Sequence, residues 1–146
     1  MKIAIACDHG ALELKNALIS RLENQGHTLV DFGTNTLDSC DYPDFAGKAA
    51  KAVAAGECEK GIVLCTTGIG VSITANKVRG IRCALLSDVV SARMTREHND
   101  TNMMALGAGI IGKLLAFDIV DTWLGTEFSH DARHQRRIDK LMAYED

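Results

Sequence analysis

The sequence contains no apolar run near the roughly 20 residues that a membrane-spanning helix requires. It has no long basic run either, and its net charge of −3 argues against nucleic acid as the main partner. The first residues, Met1 to Ala6, lead directly into an apolar run without the layout of a signal peptide. We therefore expect a cytoplasmic protein that binds neither membranes nor nucleic acid.

Paired cysteine motifs are also missing. The five cysteines are irregularly spaced, with neither a C-x-x-C pair nor the Cys/His spacing of a zinc site. This pattern predicts reduced thiols, no structural disulfide and no metal site. Cys7, Cys65 and Cys83 fall in or beside apolar runs, where a packed and inert core thiol is the common role.

Apolar runs and helical patterns alternate along the chain. Strands are predicted at 2–7, 28–32, 61–65, 82–86 and 103–106. Helices are predicted at 13–25, 44–55, 69–77, 112–124 and 132–143, with a polar loop at 33–43. A further helix, capped by Ser87 or Asp88, is predicted to run to about His98. Continuous apolar strands separated by helices predict a five-stranded parallel sheet covered on both faces. We expect an α/β, three-layer Rossmann-like fold in a single domain, residues 1–146, with its site at the carboxyl ends of the strands.

The segment from Gly61 to Ser72 carries the strongest functional signal. An apolar strand ends at Cys65, and a loop containing Gly68 and Gly70 leads into the next helix. The glycines allow a sharp turn, and N–H groups at a helix start favour negative charge. A thiol beside such donors is expected to ionise more readily than a free cysteine. The segment thus offers a base and an oxyanion site, although buried cysteines and glycine-rich loops also occur without catalysis.

Other polar side chains form weaker candidates. Asp8 and His9 follow the first strand and suit sugar hydroxyls, an anion or a metal, although Asp8 can equally cap a helix. His98, near the end of the fourth helix, suits acid–base chemistry at neutral pH or simply the helix dipole. Arg133 and Arg137 share one helix face and suit a phosphate, or form an exposed basic face.

These residues belong to short motifs that follow one another in a specific order. The motifs are Cys7-Asp8-His9-Gly10 with Lys15, Asp41-Tyr42-Pro43, Cys65 to Ser72, Ala75-Asn76-Lys77, Gly80-Ile81-Arg82, Ser91-Ala92-Arg93, His98-Asn99-Asp100 with Asn102, and Arg133-His134-Gln135 with Arg137. In this order, over nearly the whole chain, they closely resemble the type B ribose-5-phosphate isomerases. That family includes isomerases acting on allose 6-phosphate, and the galactose-6-phosphate isomerase subunits are close relatives.

The resemblance implies an aldose–ketose isomerase of ribose 5-phosphate and ribulose 5-phosphate that works through an enediolate, with neither metal nor cofactor. It implies that Cys65 is the base and that His98 and Thr67 assist ring opening. It implies substrate contacts from the sugar-binding Asp8, Tyr42 and Asn99, the phosphate-binding His9, Arg133 and Arg137, and the enediolate-binding loop Thr66, Gly68, Ile69, Gly70, Val71 and Ser72. It also implies a homodimer, or a dimer of dimers, whose active sites are shared between subunits.

The sequence departs from the family pattern at two places. Thr66 stands where the family usually has glycine, and the stretch Gly107 to Ile110 lacks an arginine that many members carry after the fifth strand. An isomerase of a six-carbon aldose, such as allose or allose 6-phosphate, therefore remains an alternative. A further alternative is a non-catalytic phosphate- or nucleotide-binding module, but the loop after the first strand offers only Gly10 where a nucleotide binder has several glycines.

Overall fold

The structure is a computed structural model that describes residues 1–145. Its strands are β1 (Lys2–Cys7), β2 (Thr28–Asp31), β3 (Lys60–Cys65), β4 (Cys83–Leu85) and β5 (Met103–Gly107). Its helices are α1 (Leu12–Asn24), α2 (Tyr42–Ala54), α3 (Ile69–Asn76), α4 (Val89–Asn99), α5 (Lys113–Leu124) and α6 (Ala132–Met142). Short 3₁₀ helices lie at His9–Ala11 and Ala143–Glu145. Among these described residues, none of the helices has the length and apolar character needed to cross a bilayer.

All strand pairs are parallel, and the strand order is β2-β1-β3-β5-β4. The predicted parallel α/β fold is confirmed, and each strand lies within about a residue of its predicted position at either end. The order reverses at β1, because the chain moves from β1 outward to β2 and then returns to pair β3 on the other side. Such a reversal leaves a crevice at the carboxyl ends of the two central strands. Asp8 and Cys65 stand at this crevice.

Helix α2 begins at Tyr42, two residues earlier than the sequence predicts. Pro43 was expected to belong to the preceding loop, yet it lies in the first turn of the helix. The first turn tolerates proline because its N–H groups have no intrahelical acceptor. The early start makes Tyr42 part of a helix that packs on the sheet.

Two cores cover the faces of the sheet. On one face, α1, α4 and α5 bury large side chains, including Leu18, Leu22, Ile119 and Trp123. On the other face, α2 and α3 pack through small residues such as Ala46, Ala49 and Ala50. The small residues bring α2 close to the strands. Its first residue, Tyr42, consequently lies beside the loop that follows β3.

A buried lysine anchors the loop between β2 and α2. Lys15 of α1 is fully buried, and its ammonium donates to both carboxylate oxygens of Asp31 at 2.7 and 2.8 Å. It also donates to the Thr34 carbonyl at 2.6 Å and to Asn35 Oδ1 at 2.9 Å. A buried charge is tolerated when its donors are all used and a counter-charge is present. This cluster fixes the start of the loop against α1 and the end of β2.

Candidate active site

The sulfur of Cys65 lies at the carboxyl end of β3, opposite Gly107 of β5. The Gly68 N–H donates to Cys65 Sγ at 3.1 Å, and Thr67 Oγ1 lies 4.0 Å from the same sulfur. The sulfur therefore accepts a backbone N–H and lies where the crevice opens to solvent.

Other thiols of the chain have a different setting. Burial raises the pKa of Cys7 to about 11, with the neighbouring Lys15 acting in the opposite direction. Burial also raises the pKa of Cys83 to about 12. Both thiols stay protonated at neutral pH, which fits the core-packing role expected for them.

The turn after Cys65 requires glycine at position 68. Gly68 adopts a left-handed conformation with φ of 77°, and it directly precedes α3. A Cβ there would also lie 2.6 Å from Leu85 Cδ1 and 2.8 Å from the carbonyl carbon of Leu106. The sharp turn points the start of α3 toward the crevice.

The first turn of α3 supplies backbone donors beside Cys65. A helix leaves its first N–H groups without intrahelical acceptors. The Ile69 N–H donates to Thr67 Oγ1 at 3.2 Å and the Ser72 N–H to the Gly68 carbonyl at 3.2 Å. The N–H groups of Gly70 and Val71, between them, are the donors that an oxyanion in the crevice can use.

The side chains of Val71 and Ser72 point away from the crevice. Val71 is buried, and the Ser72 hydroxyl donates to the Ile69 carbonyl at 2.7 Å. Of the predicted loop contacts, these two residues therefore offer backbone at most. Sequence spacing alone does not show this, because it does not fix which side chains of the first turn face the core.

A cleft of about 440 Å³ opens above the Cys65 loop. Its lining consists of Asp8, Tyr42, Cys65, Thr66, Thr67, Ile69, Gly70 and Ile73. The Tyr42 ring lies so close to Gly70 that a Cβ there would be 2.6 Å from ring carbons. Asp8 caps the short 3₁₀ helix, with Oδ1 accepting the Gly10 N–H at 2.9 Å, and it still lines the cleft. Both roles considered for Asp8 are thus compatible.

His9 follows Asp8 and is oriented by the loop before α2. The Cys40 N–H donates to His9 Nδ1 at 3.3 Å. A neutral imidazole that accepts at Nδ1 carries its proton on Nε2. His9 can therefore donate from Nε2 to an anion or a hydroxyl group.

The remaining predicted residues form a second cluster. His98 and Asn99 of α4 line a cavity of about 410 Å³ together with Arg133 and Arg137 of α6. The His98 ring lies 4.4 Å from the His134 ring, measured between centroids. These contacts depend on how α6 packs on the end of α4.

His134 also lines this cavity, although the sequence gives it no predicted role. His134 is buried, and its Nδ1 lies 2.7 Å from Ser129 Oγ, a contact that fixes the ring against His98. His134 lies inside a quoted motif, but no local spacing indicates that it meets a residue 36 positions earlier.

The two clusters lie at opposite edges of the sheet. Cys65 stands at the carboxyl edge, where β4 also ends and α4 begins. Helix α4 runs back for 11 residues, about 16 Å, to the amino edge, where β5 starts. His98 and Asn99 are at that far end. Within residues 1–145, no side chain lines both cavities.

Comparison with known proteins identifies the family of the chain. The family model described as ribose/galactose isomerase matches residues 3–141. The chain belongs to the ribose/galactose isomerase family.

Members of this family resemble the chain over its full length. The solved structure of Clostridium thermocellum ribose-5-phosphate isomerase B is 51% identical, with a TM-score of 0.97, covering 99% of this chain and 97% of that one. Ribose-5-phosphate isomerase B of Escherichia coli is 44% identical, over 99% of this chain and 96% of its own length. The galactose-6-phosphate isomerase subunit LacB of Clostridium acetobutylicum is 39% identical, over 97% of this chain and 84% of its own length. Family membership makes this chain an enzyme, an aldose–ketose isomerase of sugar phosphates.

Proposed function

We propose that the enzyme interconverts ribose 5-phosphate and ribulose 5-phosphate, with Cys65 as the base. The observation that carries this proposal is the position of Cys65 Sγ, which accepts the Gly68 N–H at 3.1 Å beside the first turn of α3. Two of the similar proteins, from Clostridium thermocellum and Escherichia coli, are named ribose-5-phosphate isomerase B. Their names favour the five-carbon substrate.

The proposed chemistry moves one proton between neighbouring carbons. The Cys65 thiolate takes the proton from C2 of the open-chain aldose, and the electron pair forms the C1–C2 double bond while negative charge develops on O1. The thiol then returns a proton to C1 as the proton of the C2 hydroxyl transfers to O1, which leaves the ketose. The N–H groups of Gly70 and Val71 stabilise the developing charge, and a preorganised donor of this kind is worth about 3–4 kcal/mol.

Phosphate recognition is assigned to His9, Arg133 and Arg137. No carboxylate pairs with Arg137 within residues 1–145, whereas Arg133 Nη2 lies 3.8 Å from Asp131 Oδ2. Planar guanidinium groups and an Nε2–H donor match the geometry of a phosphate. His98 and Thr67 assist ring opening, and Asp8, Tyr42 and Asn99 hold the sugar hydroxyls.

A homodimer is the proposed working unit. His98, Asn99, Arg133 and Arg137 lie at the edge of the sheet opposite Cys65, so they serve the Cys65 cleft of a second copy. Exposed apolar side chains of α3, where they line the cleft, and of β4 and α4 favour such a contact. They are Ile69, Ile73, Leu85, Val90 and Met94, each 41–54% exposed. Exposed apolar patches of this kind mark protein–protein contacts.

An isomerase of a six-carbon aldose, such as allose or allose 6-phosphate, is the second candidate. The observation in its favour is the similarity to a galactose-6-phosphate isomerase subunit. The non-catalytic module considered from sequence does not fit membership in an isomerase family.

The deciding experiment measures ketose formation from purified enzyme. We expect kcat/KM for ribose 5-phosphate to exceed that for allose 6-phosphate, free ribose and free allose. Carrying out the reaction in D₂O tests the proton transfer, because a proton that passes through an exchanging thiol is replaced by deuterium in product and recovered substrate. A higher kcat/KM for allose 6-phosphate, or no turnover of ribose 5-phosphate, would contradict the proposal.

A further inference from the structure

The side chain of Thr66 is wedged between two glycines on separate loops, while the residue remains exposed to solvent. A Cβ at Gly109 would lie 2.8 Å from Thr66 Cγ2 and 3.1 Å from the Thr66 carbonyl oxygen. A Cβ at Gly10 would overlap Thr66 Oγ1. Both contacts are closer than packed side chains allow, so each loop accommodates Thr66 only because it has glycine there. Thr66 therefore spans from the loop after β1 to the loop after β5.

This position makes Thr66 a wall of the cleft. Thr66 lines the cleft beside Asp8 and Cys65. Gly10, on its far side, lines a separate cavity of about 260 Å³, together with Ala108 and Lys113. The Thr66 carbonyl accepts the Gly109 N–H at 2.8 Å, which holds the wall in place. The side chain thus lies between the cleft and Gly10, which lines the second cavity.

Thr66 also lies along the direction in which a substrate must extend. The reacting carbons belong at Cys65, and His9, the phosphate contact on the same chain, adjoins Gly10. Thr66 directly follows Cys65 and reaches Gly10, so its side chain occupies the interval between these two points. A threonine side chain has three heavy atoms, and one additional CHOH unit of a sugar has two. The space that Thr66 fills therefore matches the extra length of a six-carbon substrate.

We propose that Thr66, held between Gly10 and Gly109, sets the upper limit on the carbon-chain length of the sugar phosphate. This inference rests on the proposed isomerase function and refines its substrate class to five carbons or fewer. Truncation of the Thr66 side chain makes room for one more CHOH unit. A substitution that adds a side chain at Gly109 pushes Thr66 into the cleft.

The test compares two substrates in a truncation series. We would measure kcat/KM for allose 6-phosphate and ribose 5-phosphate in the wild type, Thr66→Ser, Thr66→Ala and Thr66→Gly. A pocket gains about 10–200-fold in discrimination per methylene group, so the allose-to-ribose ratio should rise at least about tenfold in Thr66→Gly. Thr66→Ser, which loses one heavy atom, should change the ratio least. A partial loss of folded enzyme lowers both rates equally and leaves the ratio unchanged.

A second measurement tests the wedge without any assay of activity. Gly109→Ala should lower the melting temperature in the wild type but much less in a Thr66→Gly background, because the clashing methyl group is gone. Equal losses of melting temperature in both backgrounds would contradict the close packing of Thr66 against Gly109.

The possible failures are distinguishable. A wild type that turns over ribose 5-phosphate, with the same ratio in Thr66→Gly and Thr66→Ala, would overturn the length limit alone. A wild type that prefers allose 6-phosphate would overturn both the length limit and the five-carbon function. A wild type that turns over none of the sugars would overturn the proposed function and the length limit with it, while the melting temperatures still report on the wedge.

Discussion

At the scale of single residues, the contacts of each sulfur separate Cys65 from the partly buried Cys83. Cys65 Sγ accepts a backbone N–H and faces a cleft, whereas Cys83 has a pKa raised by burial to about 12. Both are cysteines next to apolar strands, so their residue type does not distinguish them. Cys65 is the last residue of β3 and directly precedes the glycine loop, whereas Cys83 is the first residue of β4.

Cys65→Ala should therefore abolish most isomerase activity and leave the fold intact. Removal of a positioned general base costs about 10²–10⁴ in rate. Steady-state kinetics with ribose 5-phosphate and circular dichroism would check this, with Cys83→Ala as the matched control. The control should keep its turnover and lose only thermal stability. Near-normal turnover in Cys65→Ala, in protein free of host isomerase, would rule out the proposed base.

Arg137→Ala should weaken the use of phosphorylated substrates selectively. A charge-assisted hydrogen bond contributes roughly 1.5–3 kcal/mol, so kcat/KM for ribose 5-phosphate should fall about 10–150-fold. Free ribose should be affected much less. Arg136→Ala is the control, because Arg136 lies on the same helix but not in the cavity of His98 and Arg137. An equal loss for both sugars would indicate a role in assembly, and no loss for either would indicate that this arginine does not bind phosphate.

At the scale of elements, α4 connects the two edges of the sheet. Its first turn is capped by Asp88, whose Oδ1 accepts the Ser91 N–H at 2.7 Å. Its last residues are His98 and Asn99. The backbone of this last turn is held by Arg82, which donates to the Asn99 carbonyl at 2.9 Å and to the Asp100 carbonyl at 2.7 Å. The helix is therefore capped at its start, and its last turn is held by the residue that precedes β4.

Asp88→Ala should lower the melting temperature at neutral pH, and Asp88→Asn should retain most of the stability because asparagine also caps helices. The hydrogen bond from the Ser91 backbone lowers the pKa of Asp88 below its usual value. A lowered folded-state pKa adds stability above the unfolded pKa of about 3.9, and this stability is lost as the pH falls through the folded pKa. The advantage of wild type over Asp88→Asn should thus disappear in acid. Thermal melts from pH 2 to 7 would show it, and a constant difference across that range would contradict the assignment.

Sequence patterns predict the helices and strands well, but they predict the contacts between side chains of different elements poorly. The five strands and the Cys65 loop were predictable because apolar runs and glycine turns are local features. The pairing of His98 with His134 was not, because it depends on how α6 packs against α4. The Lys15 cluster joins three segments, and only the lysine appeared in a motif, without a role. Interactions of this kind become visible only when the topology has brought distant segments together.

At the scale of the whole molecule, the separation of Cys65 from His98 makes a complementation test possible. Cys65→Ala and His98→Ala proteins should each be inactive, yet a mixture refolded together should regain activity. Random pairing of equal amounts makes half of the two-fold dimers mixed, and each mixed dimer has one intact site, so about a quarter of wild-type activity should return.

The matched control pairs Cys65→Ala with Thr67→Ala. Both changes lie in the same cleft, so the mixed dimer has one changed residue in each site and no intact site. No recovery is expected there. Recovery in the control, or none in the test mixture, would contradict shared sites.

Because the two residue clusters lie at opposite edges of the sheet, activity in a shared site also depends on dimer formation and hence on enzyme concentration. If neither cluster alone supports turnover, a dissociated chain is inactive. Turnover per chain should then be constant at high concentration and fall in proportion to concentration far below the dimer dissociation constant, so the total rate becomes quadratic in enzyme. In that regime the concentration of the enzyme would control the activity of each chain. A serial dilution followed by an initial-rate assay would reveal this dependence.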